Sequence, residues 1–286
     1  MKITHVLRAD EWLSSTPRHV LLYEALGYDP PFFAHLPMIL GPDKAKLSKR
    51  HGANSILEYK NEGYLPEAMA NFLVLLGWSL DDKTDILSIE TVIRAFSLER
   101  IGKAAAVFDH GKLEWINGVY IRQMTDKQFT DQVIPFLSSK IRSKPGIEDY
   151  IQSISPLIRE RAKTLKDTRT LTEYFFDDPT DSSTENLLQK GMDEQTTLVM
   201  LESIVNQIDL LDFSSKDSVQ SGLESLVEQL KVSRGQLLGT LRSSITGKQF
   251  SPPISDVMAI LGKEICLRRI QNSIHILNAS SPDESD

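Results

Sequence analysis

A single cysteine, Cys266, is present in 286 residues, which excludes an internal disulfide and a cysteine-rich zinc site. Set in Glu264-Ile265-Cys266-Leu267, it reads as a small core residue. The six histidines are scattered, and no pair has a ligand spacing on one helix, so a structural zinc is not expected. No apolar run approaches the length of a membrane span, and no membrane partner is expected. Met1-Lys2 leads directly into a strand-like segment rather than a signal peptide, which makes the cytosol the expected compartment. An excess of positive charge is also missing. The net charge of -7 argues against indiscriminate nucleic-acid binding, and an RNA partner would need local basic patches. The G-x-x-x-x-G-K-[ST] phosphate loop is absent as well.

What is present is an ordinary globular composition, 41% apolar and 25% charged, in a chain long enough for two domains. Residues 3–7 alternate and carry β-branched side chains, which predicts a strand. Thr16-Pro17 predicts a helix start with the threonine as cap, an apolar stripe at Leu21, Leu22, Ala25 and Leu26, and a stop at Gly27. Residues 32–40 predict a second strand. Strand, helix and strand make one βα unit of a parallel sheet, yet such sheets contain several strands covered on both faces. The expectation is therefore a piece of a longer protein, its preceding nucleotide-binding half lying outside this chain. From Asn54 onward the pattern is helical, with Trp78 and Trp115 expected in the core. Thr125-Asp126 caps a new helix and marks the expected domain boundary. Stripes such as Leu198, Leu201, Val205 and Ile208 predict bundled helices, and residues 278–286 a disordered acidic tail.

Four cationic side chains fall within the seven residues from Lys44 to Arg50, in Asp43-Lys44-Ala45-Lys46-Leu47-Ser48-Lys49-Arg50-His51-Gly52. The run predicts a mobile surface loop suited to a polyphosphate, with Gly41-Pro42 and Gly52 as hinge and turn residues. A solvated charge run is the plainer alternative. Lys46-Leu47-Ser48-Lys49-Arg50 resembles the K-M-S-K-S signature of class I aminoacyl-tRNA synthetases. The flanking Leu36-Pro37-Met38-Ile39-Leu40-Gly41-Pro42 and the upstream Thr4-His5-Val6-Leu7-Arg8-Ala9-Asp10-Glu11-Trp12 are similar to bacterial glutamyl-tRNA synthetases. The segment from Phe108 to Gly118 is similar to that family's stem-contact region.

This resemblance implies a mainly α protein. Residues 1–53 would be the second half of a Rossmann-like catalytic domain, 54–125 a stem-contact region and 126–277 a helical anticodon-binding domain. It implies ATP accompanied by Mg2+, L-glutamate and a glutamate-accepting tRNA as partners, with glutamine tRNA left open, and a monomer. Lys46, Ser48 and Lys49 would form the catalytic lid, with Lys49 on the phosphates. Glu11, Ile39 and Arg50 would lie beside ATP, and Arg8 would hold the glutamate. Arg161, Arg242, Ser251 and Ile254 match positions near the anticodon, where guanidinium stacking and edge hydrogen bonds can read single-stranded bases. The family's H-I-G-H-like element is absent here, so the expected activity is that of an incomplete ligase, unable to activate glutamate alone. The alternative is a stand-alone tRNA-binding module without catalysis.

Overall fold

The computed structural model describes residues 2–48, 50, 55–179 and 184–280. It is mostly helical and divides into two compact units. One comprises the chain up to Met124 together with Lys163–Lys166; the other comprises Thr125–Ala162 and the chain from Asp167.

In the first unit, β1 (His5–Ala9) is followed by a tight 3-10 turn (Asp10–Ser15) and α1 (Thr16–Ala25). β2 (Phe32–Leu36) pairs in parallel with β1, setting Arg8 opposite His35. The apolar run predicted as one strand is two, because β3 (Ile39–Leu40) leaves β2 after Pro37, which has no N–H for a ladder, and pairs in parallel with β4 (Ala106–Val107). Between them lie α2 (Ile56–Asn61), α3 (Pro66–Leu75) and α4 (Ile89–Ala95), and α5 (His110–Gln123) closes the unit. Ser55 and Glu58 form a reciprocal capping box on α2, and Ser88 caps α4.

Leu65, Ala68, Met69, Phe72, Leu113 and Ile116 form the buried centre, and Trp78, Leu87 and Val92 form a second cluster. Asn117, fully buried, ties the unit together. Its Oδ1 accepts from the Leu65 N–H at 2.8 Å, and its Nδ2 donates to the Lys163 carbonyl at 2.6 Å. Several expectations are corrected here. Trp115 is 48% exposed, and Leu21, Leu22 and Leu26 are mostly exposed rather than a core stripe. The Thr16 hydroxyl does not cap α1; it donates to the Trp12 carbonyl, and Ser15 occupies the cap position.

The second unit contains α6 (Asp126–Val133), α7 (Ser139–Arg142), α8 (Ile147–Arg159), α9 (Thr168–Phe176) and α10 (Thr184–Leu187). α11 (Glu194–Gln207), α12 (Lys216–Leu230), α13 (Arg234–Thr246), α14 (Ile254–Leu261) and α15 (Lys263–Ser280) follow. Thr125 and Gln128 form a capping box on α6. The α11 core face is Thr197, Met200, Leu201 and Ile204, with Leu198 and Val205 only half-buried at its margin. Cys266 is fully buried, and burial pushes its thiol up to about 12. α15 continues through Asn278 and Ala279, which were expected in the acidic tail; residues 281–286 lie outside the described residues.

Candidate functional site

Arg8 lies near the carboxyl end of β1, where open parallel sheets bind ligands. The parallel register brings His35 to its side, and α1 supplies Thr16 and, one turn later, His19. Arg8 Nε donates to His35 Nε2 at 3.2 Å, Nη2 to Thr16 Oγ1 at 2.8 Å, and Nη1 to His19 Nδ1 at 3.1 Å. The cation also sits over the Phe33 ring at 4.9 Å and the Trp12 ring at 5.6 Å. Among the described residues, three of its five N–H groups are thereby engaged, and one on each terminal nitrogen has no such partner. The motif identified Arg8 without its supports. The signal for His35 was the strand register, and for Thr16 and His19 the helical spacing of three.

The basic loop begins as a hydrogen-bonded turn. Lys46 bridges back to Leu40, the Gly41 N–H donates to the Ala45 carbonyl at 2.8 Å, and the Leu47 N–H donates to the Ile39 carbonyl at 2.9 Å. The Asp43 carboxylate accepts from the Ala45 N–H at 2.9 Å. This geometry delivers Lys46 Nζ to Glu11 Oε2 at 2.6 Å, joining the loop to the turn that follows Arg8. Both partners of that pair are substantially exposed, so it locates the loop more than it stabilises the fold. Ile39 is 36% exposed at the loop's root, Ser48 is half-buried, and Arg50 is exposed. Lys49 and Gly52 lie outside the described residues. Among the described residues, no group of three or more His, Cys, Asp or Glu side chains could hold a metal ion. No described helix is long and apolar enough to cross a membrane.

In the second unit, two guanidinium groups converge on one residue. Arg242 Nε donates to Ser251 Oγ at 3.2 Å, and Arg161 Nη2 donates to the Ser251 carbonyl at 3.3 Å. Ser251 Oγ donates to the Pro252 carbonyl at 2.8 Å, fixing the turn into α14. Ile254 is the first residue of α14, and at 2% exposure its side chain belongs to the core. α8 ends at Arg159, so the basic residues that follow leave the helix. Arg159 pairs with Asp126, and within the first unit Lys163 pairs with Glu114 and Lys166 with Glu62. Arg268 and Arg269 both bond the Asp178 carboxylate, which holds it below the usual carboxylate range.

Two family profiles match the chain: tRNA synthetases class I (E and Q), catalytic domain, over residues 1–115, and the anticodon binding domain over residues 128–274. The parallel βα unit with its basic loop, followed by a mostly helical chain, is thus part of the fold of a class I tRNA synthetase. Among its relatives, a glutamate–tRNA ligase of Dehalococcoides mccartyi is 44% identical over 96% of this chain and 57% of that protein. One from Roseiflexus castenholzii is 42% identical over 98% and 56%. A crystal structure of a glutamate tRNA ligase from Elizabethkingia meningosepticum, in complex with its amino acid, superimposes with a TM-score of 0.82 at 33% identity, covering 97% of this chain and 58% of that one. The chain belongs to the glutamate–tRNA ligase family. It spans about 57% of the length of the curated relatives it matches.

Proposed function

We propose that this chain carries the triphosphate lid, the glutamate-holding arginine and the tRNA-reading domain of an ATP-dependent glutamate–tRNA ligase acting as a cytoplasmic monomer. The observation that carries this reading is the Lys46–Glu11 pair, which sets the signature loop beside the turn that follows Arg8. In the reaction, a glutamate carboxylate oxygen attacks the α-phosphorus of ATP and pyrophosphate leaves. A ribose hydroxyl of the tRNA's terminal adenosine then attacks the acyl carbon, and AMP leaves. Such chemistry needs positioning and charge stabilisation more than a protein nucleophile.

Arg8 grips a glutamate carboxylate through its two remaining N–H groups. Lys46, Ser48 and Lys49 bring the lid over the phosphates, with Lys49 neutralising charge as the pyrophosphate departs. Removing that lysine from a desolvated site should cost roughly a hundredfold in rate. Glu11, Ile39 and Arg50 border the nucleotide. Mg2+ arrives with ATP, bound chiefly through the substrate phosphates. Arg161, Arg242 and Ser251 face the anticodon of a glutamate-accepting tRNA.

Catalysis rests with a ligase longer than this chain, as its relatives are. Incubated with ATP, glutamate and labelled pyrophosphate, this chain alone should exchange no label. Robust exchange would show that the described half-site suffices and would overturn that statement. The second reading, a tRNA-binding module without catalysis, is favoured by the match of the anticodon-binding profile across residues 128–274. It differs in predicting that ATP leaves Lys49 open to amine-reactive reagents, where the ligase reading predicts protection.

A further inference from the structure

The connection between α13 and α14 is pinned at nearly every residue except one. Gly247 ends α13 in the left-handed region (φ +67°), and the Lys248 N–H donates to Thr246 Oγ1 at 3.2 Å. Gln249 Nε2 donates to Asn186 Oδ1 at 3.2 Å, and Lys248 pairs with Glu173 at 3.6 Å. Ser251 is held from both sides by Arg161 and Arg242, and Pro252 is buried. Between these fixed points Phe250 is 90% exposed. A scattered exposed apolar side chain needs no explanation in general. Here the phenyl ring stands on a fastened loop, next in sequence to the residue on which two guanidinium groups meet. Each of those groups spends one N–H on Ser251 and keeps others. Exposed aromatic rings and arginines are the side chains with which proteins hold unstacked bases, and here they are carried by one short loop and the residues that fasten it.

We propose that Phe250 is a stacking platform for an unpaired base of the bound RNA, next to the base or phosphate taken by Arg161 and Arg242. The proposal rests on the reading of this unit as a tRNA-binding domain and adds to it a contact no charge pattern would reveal. An aromatic platform contributes affinity without neutralising phosphate, so its removal weakens binding while leaving the salt dependence unchanged. It also tolerates any flat ring in place of phenyl.

The test is binding of the full chain to a fluorescent anticodon stem-loop of glutamate tRNA, followed by anisotropy across a salt series. Phe250→Ala should weaken binding roughly tenfold with the slope against salt unchanged. Phe250→Trp should bind as the unsubstituted chain does, and its emission should be quenched by RNA beyond the quenching seen with the native tryptophans. Because the ring is exposed, neither variant should melt differently. If the unsubstituted chain binds and Phe250→Ala matches it, the stacking proposal is overturned while the tRNA reading stands. If the unsubstituted chain does not bind the stem-loop, both fall. Self-association that disappears in Phe250→Ala, with RNA affinity intact, would make the ring a contact between copies and also overturn the proposal.

Discussion

Arg8 illustrates how a residue can be recognised before its environment is known. Its place at the end of a predicted strand suggested a carboxylate grip, and the structure adds three acceptors that aim it, Thr16, His19 and His35. Those acceptors lose their shared donor in Arg8→Met. The variant should lower the unfolding free energy by about 2 kcal/mol, the scale of hydrogen bonds to a charged group. Urea denaturation measures it, and an unchanged midpoint would mean the cage contributes nothing. The same limit on local reading explains Trp115. A neighbourhood in sequence gives a side chain's character, but exposure depends on what packs across from it, so Trp115 emerges at the surface.

Elements were easier to foresee than their ends. The cap at Thr125 is local chemistry and appears as read, and Ser55 and Ser88 start their helices in the same way. The short segment Lys163–Lys166 was not legible, because it leaves the helix and joins the first unit through contacts distant in sequence. Its seat depends on Gly63, which has φ +84° and whose added Cβ would lie 2.6 Å from the Leu165 backbone nitrogen. Gly63→Ala should therefore cost about 3 kcal/mol or more, through both backbone strain and displacement of this segment. A thermal melt that leaves the first unit unshifted would contradict this.

α15 makes a comparable tie in the second unit, where Arg268 and Arg269 hold the Asp178 carboxylate. Bonding to Arg268, and then to Arg269, depresses its pKa below the ordinary 3.8. The folded form is therefore favoured above the unfolded pKa, and that stabilisation is lost as pH falls through the folded value. Asp178→Asn should be less stable than the parent at neutral pH, with the difference shrinking in urea titrations as pH falls below 3.8 and through the depressed folded pKa.

For the molecule as a whole, the net charge of -7 confines RNA attraction to local cations, several of which are already paired with carboxylates. Affinity for glutamate tRNA should consequently fall only gently with salt, by a slope of about -2 to -4, corresponding to a few phosphate contacts. Anisotropy titrations at increasing chloride measure it, and a much steeper slope would point to a broad basic surface absent from this reading.

Residue order alone disclosed the mainly helical class and the family resemblance of the basic loop, because spacing, caps and short motifs are written among near neighbours. Folding decided which charges remained available and which were consumed. Lys46 meets a carboxylate 35 positions away, Arg8 meets a histidine 27 away, and Arg161 reaches a serine 90 away. Such meetings depend on strand register, helix ends and loop closure together, and no single stretch of sequence contains all three.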